Sequence, residues 1–286
     1  DYGEMVEAAL PQLNEGGHLR QIVMMGEQLE ESVSWETMLE QGSQVSDEQL
    51  HNRSVQVNVE DRMMLAYTSG TTGHPKGVIH CHKPVRNTYE RAMLLGHNRN
   101  DVHLSYLPLF HAYGFSEVAM MVALTGGSQV LFDVFEPAQV LDAVEEEGGT
   151  VLHGFDSHWA DLIREQQQRE RDVTSLRVGT LPAGMESTVP IARQVQDVFC
   201  PTTSGFGMSE TWAFVASSHV TNTLEQRTEA SGYPMYGIEF EVRDLDQGHV
   251  LGENEQGALY VRGYTVTSGY WGKPEATAEV LDDDGW

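Results

Sequence analysis

Apolar residues fall in short runs along this chain, separated by polar stretches with helical spacing. "MMLAYTSG" (63–70), "VHLSYLPLF" (102–110), "SQVLFDVF" (128–135), "TVLHGF" (150–155) and "SLRVGTLPAG" (175–184) have the length and composition of buried strands. "HKPVRNTYERAMLLGH" (82–97), "EPAQVLDAVEEEGG" (136–149), "DSHWADLIREQQQRER" (156–171) and "PIARQVQDVF" (190–199) read as helices. The second of these has Pro137 near its first turn and glycines at its end. Before residue 50, "EMVEAALPQL" and "SWETMLEQG" have helical spacing, with a short strand in "RQIVMMG" between them. Strand and helix alternate, which predicts an α/β layered fold with a largely parallel sheet. Near residue 228 the pattern changes. Residues 237–270 hold short alternating strands separated by "DQG" and "NEQG" turns, the signature of an antiparallel unit.

Composition narrows the partners. Across 286 residues there are 43 acids against 17 bases, a net charge of -26. Nucleic acid is therefore disfavoured, since phosphate neutralisation needs clustered Lys and Arg. An anionic membrane surface is disfavoured for the same reason. "EVAMMVAL" (117–124) is too short to span a bilayer. Cys81 and Cys200 are the only cysteines, so a disulfide framework is not expected and a cytoplasmic setting is. The excess of acids over lysines hints at a salt-adapted source.

The chemistry concentrates in "YTSGTTGHPKGV" (67–78), which holds Lys76, one of only three lysines in the chain. Glycines let backbone N–H groups converge on an anion, and Thr68, Ser69, Thr71 and Thr72 add hydroxyl donors. Gly70 and Lys76 have the outer spacing of a Walker loop. Pro75 and Gly77, however, occupy the positions of its second glycine and its magnesium-binding hydroxyl. The set suits a polyphosphate in a loop of another kind. "HCH" (80–82) does not read as a metal site, because three adjacent residues on a regular element cannot face one ion.

"LAYTSGTTGHPKGVIHCH" (65–82) resembles the signature loop of the adenylate-forming enzymes: acyl-CoA synthetases, amino-acid adenylation domains and beetle luciferases. Further resemblances follow in that family's order: "LPLFHAYGF" (107–115), the connecting segment 126–154, "SGFGMSE" (204–210) and "GALYVRGYTVTSGYWGKPEAT" (257–277). The resemblance implies ATP-dependent conversion of a small carboxylic acid to an acyl-adenylate, then to a thioester with coenzyme A. By the same resemblance, Thr68, Ser69, Gly70, Thr71, Thr72, Gly73 and Lys76 hold the β- and γ-phosphates of ATP. Glu210 binds Mg²⁺, an oxygen ligand suited to a hard cation. Ser209 faces the α-phosphate. Phe206 stacks on adenine beside Gly207, and Ala183 and Gly184 occupy the adenine-side turn. His111 lies near the acyl carboxylate, so that His111 and Lys76 are the expected catalytic residues.

Departures from the family pattern are visible in the turn order Ala183-Gly184-Met185, in Asp156 at a position often proline, and in Ala258 at a position often glutamate. The expected organisation is residues 1–82 as the end of a first α/β subdomain carrying the phosphate loop. Residues 83–227 form a second α/β subdomain, and residues 228–286 part of a distorted β-barrel. The ribose-binding segment and the mobile C-terminal domain of the family are expected to be missing, and the isolated piece to be inactive. "FHAYGF" and "FGMSE" resemble acyl-CoA synthetases more than amino-acid adenylation domains; for an amino acid, Glu117 is the acid to weigh against the ammonium. The alternatives are an amino-acid or other acid adenylation domain and a non-catalytic nucleotide-binding module. A homodimer is open as an assembly.

Overall fold

The computed structural model of the chain describes residues 2–15, 21–26, 29, 32–68 and 75–286. By compactness the chain divides into residues 1–58 and 59–286. In the first unit, helix Tyr2–Glu15 precedes two short parallel strands, β1 (Ile22–Met24) and β2 (Ser32–Ser34). Helices Trp35–Gly42 and Asp47–Ser54 follow. Each begins at a serine. Ser34 Oγ accepts from the Thr37 amide, and Ser46 forms a reciprocal capping box with Gln49.

The second unit opens with an antiparallel hairpin of β3 (Arg62–Thr68) and β4 (Lys76–Cys81). β3 is not the fully buried strand its composition predicts. Leu65 and Tyr67 are exposed, because a two-stranded hairpin covers only one face of each strand. The strand Lys76–Cys81 is absent from the sequence reading, and its glycine, lysine and histidine explain why.

The core is a five-stranded parallel sheet. Its strands are β5 (Val102–Ser105), β6 (Ser128–Leu131), β7 (Val151–His153), β8 (Val178–Thr180) and β9 (Thr202–Thr203), in the order β6-β5-β7-β8-β9. Both faces are covered over the inner strands, which are largely buried, whereas the edge strand β6 is exposed at Ser128 and Leu131. Leu104 and Leu152 pack with Val140, Leu141, Val144, Trp159, Leu162 and Val195 from helices Pro137–Glu147, Asp156–Gln168 and Val189–Val198. Val151 and Val178 point the other way. They pack with Ala92 of helix Val85–Leu94 and Met121 of helix Met121–Thr125. Adjacent residues thus serve opposite faces, as the strand period requires. Pro137 sits at the start of its helix, and Gly148 ends it with φ 65°, donating to the Val144 carbonyl.

Two antiparallel sheets follow. β10 (Gly205–Met208), β11 (Ala213–Ser217) and β12 (Tyr233–Pro234) form one, and β13 (Ile238–Arg243) and β14 (Ala258–Gly263) form the other. The change to antiparallel pairing thus begins at Gly205, before the expected position near residue 228. Gly207 is required here by packing: a Cβ would lie 1.5 Å from the Ala213 carbonyl oxygen across the hairpin.

Candidate active site

A cleft of about 820 Å³ gathers residues from nearly the whole second unit. Thr68 and Lys76 line it, and they are cross-strand partners at the open end of the β3–β4 hairpin. That pairing brings the two ends of the glycine-rich loop together. Ser69, Gly70, Thr71, Thr72 and Gly73, named above as phosphate contacts, lie outside the described residues.

His111 lines the same cleft. It caps the turn Ala112–Gly114, where its Nδ1 accepts from the Tyr113 amide at 3.2 Å. That bond fixes the neutral tautomer with hydrogen on Nε2. Partial desolvation lowers the pKa of this solvent-exposed imidazole, favouring the neutral form. The helical stretch after it, which includes a π-helical segment at Phe115–Met120, was not predicted. Tyr113 stands edge-on to Phe155 and Phe214, with ring centroids 5.1 and 5.0 Å away. These three rings, with Ala112 and Pro182, make an apolar wall to the cleft.

Ser209 and Glu210 supply a polar side, with Phe206 and Gly207 lining the cleft beside them. Ser209–Thr211 is a single 3₁₀ turn joining β10 to β11. After it, Trp212 and Ala213 have φ of 70° and 91°. Non-glycine residues held there cost about 1–3 kcal/mol each, so the surroundings must enforce the geometry. Trp212 is anchored deeply: its Nε1 donates to Thr88 Oγ1 at 2.9 Å, and its ring meets the edge of His80 at 5.3 Å. His80 Nε2 also lies 2.6 Å from the Ser209 carbonyl oxygen and donates to it. Burial lowers the His80 pKa, as expected for a neutral donor. Within "HCH", therefore, His80 turns inward to brace the Ser209–Glu210 turn.

Ala183 lines the cleft, with its amide donating to Ser204 Oγ at 2.9 Å. Gly184 is not among the lining residues. It adopts φ of 112° beside Ser231, a conformation that suits glycine. Asp156 also stays out of the lining, whereas its neighbour Phe155 is in it.

Sequence reasoning missed Tyr270, which lies between the charged groups. Its hydroxyl donates to Glu210 Oε1 at 2.8 Å, and Lys76 Nζ stands 4.8 Å from its ring centroid. The motif around Tyr270 was legible; its contact with residues 60 and 194 positions away was not. Glu210 Oε2 has no hydrogen bond or ion pair among the described residues. A carboxylate with one oxygen braced and the other open fits a Mg²⁺ site completed by phosphate and water.

A second polar cluster lies away from the cleft. Ligand atoms of His97, Asp101 and His103 come within 4.8 Å of one another, the one such group among the described residues. Its carboxylate is already committed: Asp101 accepts from Arg177 Nε at 2.7 Å, the Asn98 amide at 2.8 Å and Thr150 Oγ1 at 2.8 Å. The Arg177 guanidinium supplies the positive charge that a cation would otherwise bring. Nearby His153 is fully buried, and neither of its ring nitrogens has a hydrogen-bond partner in the protein.

These imidazoles make the fold acid-sensitive. Burial, then His103 and Arg177, push His97 down to about 3; burial pushes His103 down to about 4 and His153 well below its ordinary value. The unfolded chain takes up protons near pH 6.5, where the folded cluster does not. Stability is therefore full above about pH 6.5 and falls as pH drops toward 4, by up to about 1.4 kcal/mol per histidine per pH unit. Thermal melts from pH 7.5 to 5 should show this loss, and His103→Leu should flatten the slope. An equal slope in that variant would assign the acid sensitivity elsewhere.

The family model for AMP-binding enzymes matches residues 5–271, and the chain belongs to that family. Among curated relatives, the acyl-CoA ligase sidI of Aspergillus fumigatus is 28% identical over 277 residues, covering 93% of this chain and 46% of the relative. Feruloyl-CoA synthase of an Amycolatopsis species is 32% identical over 231 residues, covering 80% of this chain and 46% of the enzyme. The chain thus spans about half the length of the curated relatives it matches. ATP-bound MatB from Rhodopseudomonas palustris shares the fold, with a TM-score of 0.71 at 24% identity over 80% of this chain and 44% of that one. The o-succinylbenzoate coenzyme A synthetase of Bacillus subtilis in complex with AMP gives 0.68 at 25% identity, over 80% and 49%. The layered α/β fold of the adenylate-forming enzymes is therefore this chain's fold. Among the described residues, no helix is long and apolar enough to cross a membrane.

Proposed function

We propose that the intact protein is an acid–thiol ligase that activates a small carboxylic acid with ATP and passes the acyl group to coenzyme A. One observation carries this reading: Thr68, Lys76, His111, Ser209 and Glu210, drawn from distant segments, converge on one cleft with an apolar wall. In the first step a carboxylate oxygen attacks the α-phosphorus, the bond to the bridging oxygen breaks, and pyrophosphate leaves. In the second, the thiol gives up its proton, sulfur attacks the acyl carbonyl, and AMP leaves. Little covalent chemistry falls to the protein; it positions the reactants and offsets charge.

Lys76, Thr68 and the adjoining loop residues Ser69 to Gly73 hold the β- and γ-phosphates. Ser209 donates to the α-phosphate. Glu210 is the ligand for Mg²⁺, whose charge offsets that of the phosphates. Neutral His111 presents Nε2–H to the acyl carboxylate. Phe206, with Gly207 and Ala183, receives the adenine; Gly184 shapes that turn from behind. The apolar wall of Tyr113, Phe155 and Phe214 receives the acyl chain.

Coenzyme A as the acceptor is supported by the names of the relatives, several of which are CoA ligases or synthetases. An amino-acid substrate is disfavoured by the state of Glu117. That carboxylate is fully buried, paired with Arg91 Nε at 2.7 Å, and does not line the cleft. Unpaired Cys81 and Cys200 suit a reducing compartment such as the cytoplasm. The test is thioester formation by the intact protein from ATP, coenzyme A and panels of aliphatic, aromatic and amino acids. Turnover with aliphatic or aromatic acids is expected; turnover confined to amino acids would establish the other reading.

A further inference from the structure

Lys76 and Glu210 line one cleft with opposite charges, yet make no ion pair with each other. Nothing covalent prevents such a pair, and in a partly buried cleft it would be favourable. It would also consume both groups that the proposed function needs, one for phosphate and one for a cation. Tyr270 occupies the ground between them. Its ring faces the Lys76 ammonium at 4.8 Å, and its hydroxyl donates to Glu210 Oε1 at 2.8 Å.

The residue is 7% exposed, and its backbone is fixed to the strand that carries Lys76. Tyr270 bridges Val78 in antiparallel register, the Ile79 amide donates to the Gly269 carbonyl at 3.0 Å, and the Trp271 amide donates to the Gly77 carbonyl at 2.8 Å. The Tyr270 amide donates to Thr277 Oγ1 at 2.9 Å. The Glu210 turn is tied to the same region, since the Thr267 amide donates to the Glu210 carbonyl at 2.8 Å. Residues 267–271 therefore lock the tyrosine in register with both charged groups.

We infer that Tyr270 is a positioning residue that keeps Lys76 and Glu210 apart, so that the ammonium stays available to phosphate and one carboxylate oxygen to the metal. The ring satisfies the cation through its π face without neutralising it. The hydroxyl braces one carboxylate oxygen and leaves the other open, the outer-shell arrangement that tunes metal ligands. The inference rests on the roles proposed above for Lys76 and Glu210.

Tyr270→Phe keeps the ring and removes only the brace. In the intact protein, the Mg²⁺ concentration for half-maximal ATP–pyrophosphate exchange should rise about tenfold, with the melting temperature little changed. Tyr270→Leu also removes the π face, so the KM for ATP should rise beyond its value in Tyr270→Phe. In that background Glu210→Gln should raise the KM by less than it does in the wild type, because alongside the lost metal ligand it abolishes the ion pair that forms there. An unchanged Mg²⁺ requirement in a stably folded Tyr270→Phe protein overturns the inference. So does an ATP KM in Tyr270→Leu equal to that of the wild type. If Glu210→Gln alone leaves the Mg²⁺ dependence unaltered, the error lies instead in the role given to Glu210.

Discussion

Replacement of Lys76 by alanine is expected to slow adenylation by the intact protein about 10²–10³-fold, the usual cost of losing one preorganised group facing developing charge. Lys76 begins β4, opposite Thr68, and no carboxylate forms an ion pair with it among the described residues. Its charge is therefore free for an anion at the mouth of the loop. The effect should be confined to the step that expels pyrophosphate. Thioester formation from preformed acyl-adenylate, which carries no β- or γ-phosphate, should proceed at close to the wild-type rate. Single-turnover measurements of the two half-reactions would separate them. Equal loss in both would mark the residue as structural.

The second large effect is expected at Glu210. Glutamine preserves its size and can still accept the Tyr270 hydroxyl, but it lacks the negative charge that a hard cation prefers. Adenylation should fall about 10²-fold at fixed Mg²⁺, in line with the loss of one charge-stabilising group, and should recover in part at higher Mg²⁺. The Ser209–Thr211 turn is held by the His80 hydrogen bond to the Ser209 carbonyl and by the buried Trp212, contacts that do not use the Glu210 carboxylate as a partner. The variant should therefore melt near the wild-type temperature. Undiminished activity at the original Mg²⁺ concentration would remove Glu210 from the metal site.

The sequence made the parallel sheet legible where local signals and burial agree. Helix Pro137–Glu147 carries its own start and stop, with Pro137 at one end and left-handed Gly148 at the other. The strands around Leu104, Leu152 and Val178 are buried on both faces because helices cover both. Where tertiary context decides, the pattern misleads. Leu65 and Tyr67 look like core but lie exposed on a hairpin, and "KGVIHC" looks like loop but pairs as a strand. The stretch after His111 hides a helix with a π-helical turn, which no simple period announces.

The same division applies to the cleft. Lys76, Ser209 and Glu210 stand out because a rare lysine or a compact polar motif marks them. Tyr113, Phe155, Phe214 and Tyr270 are ordinary aromatics in sequence, and only the fold places them on one cavity. His80 reads as one of a histidine pair flanking a cysteine. Its contact with the Ser209 carbonyl, 129 residues away, depends on how the β3–β4 hairpin meets the β10–β11 turn.

The most direct test of carboxylic-acid activation at this cleft is isotope exchange between pyrophosphate and ATP, catalysed by the intact protein. Exchange should require both Mg²⁺ and a carboxylic acid, proceed without coenzyme A, and fall about 10²-fold or more in Lys76→Ala. Exchange that is absent with every aliphatic, aromatic and amino acid tried, in a protein that binds ATP, would contradict the account and leave a nucleotide-binding module in its place.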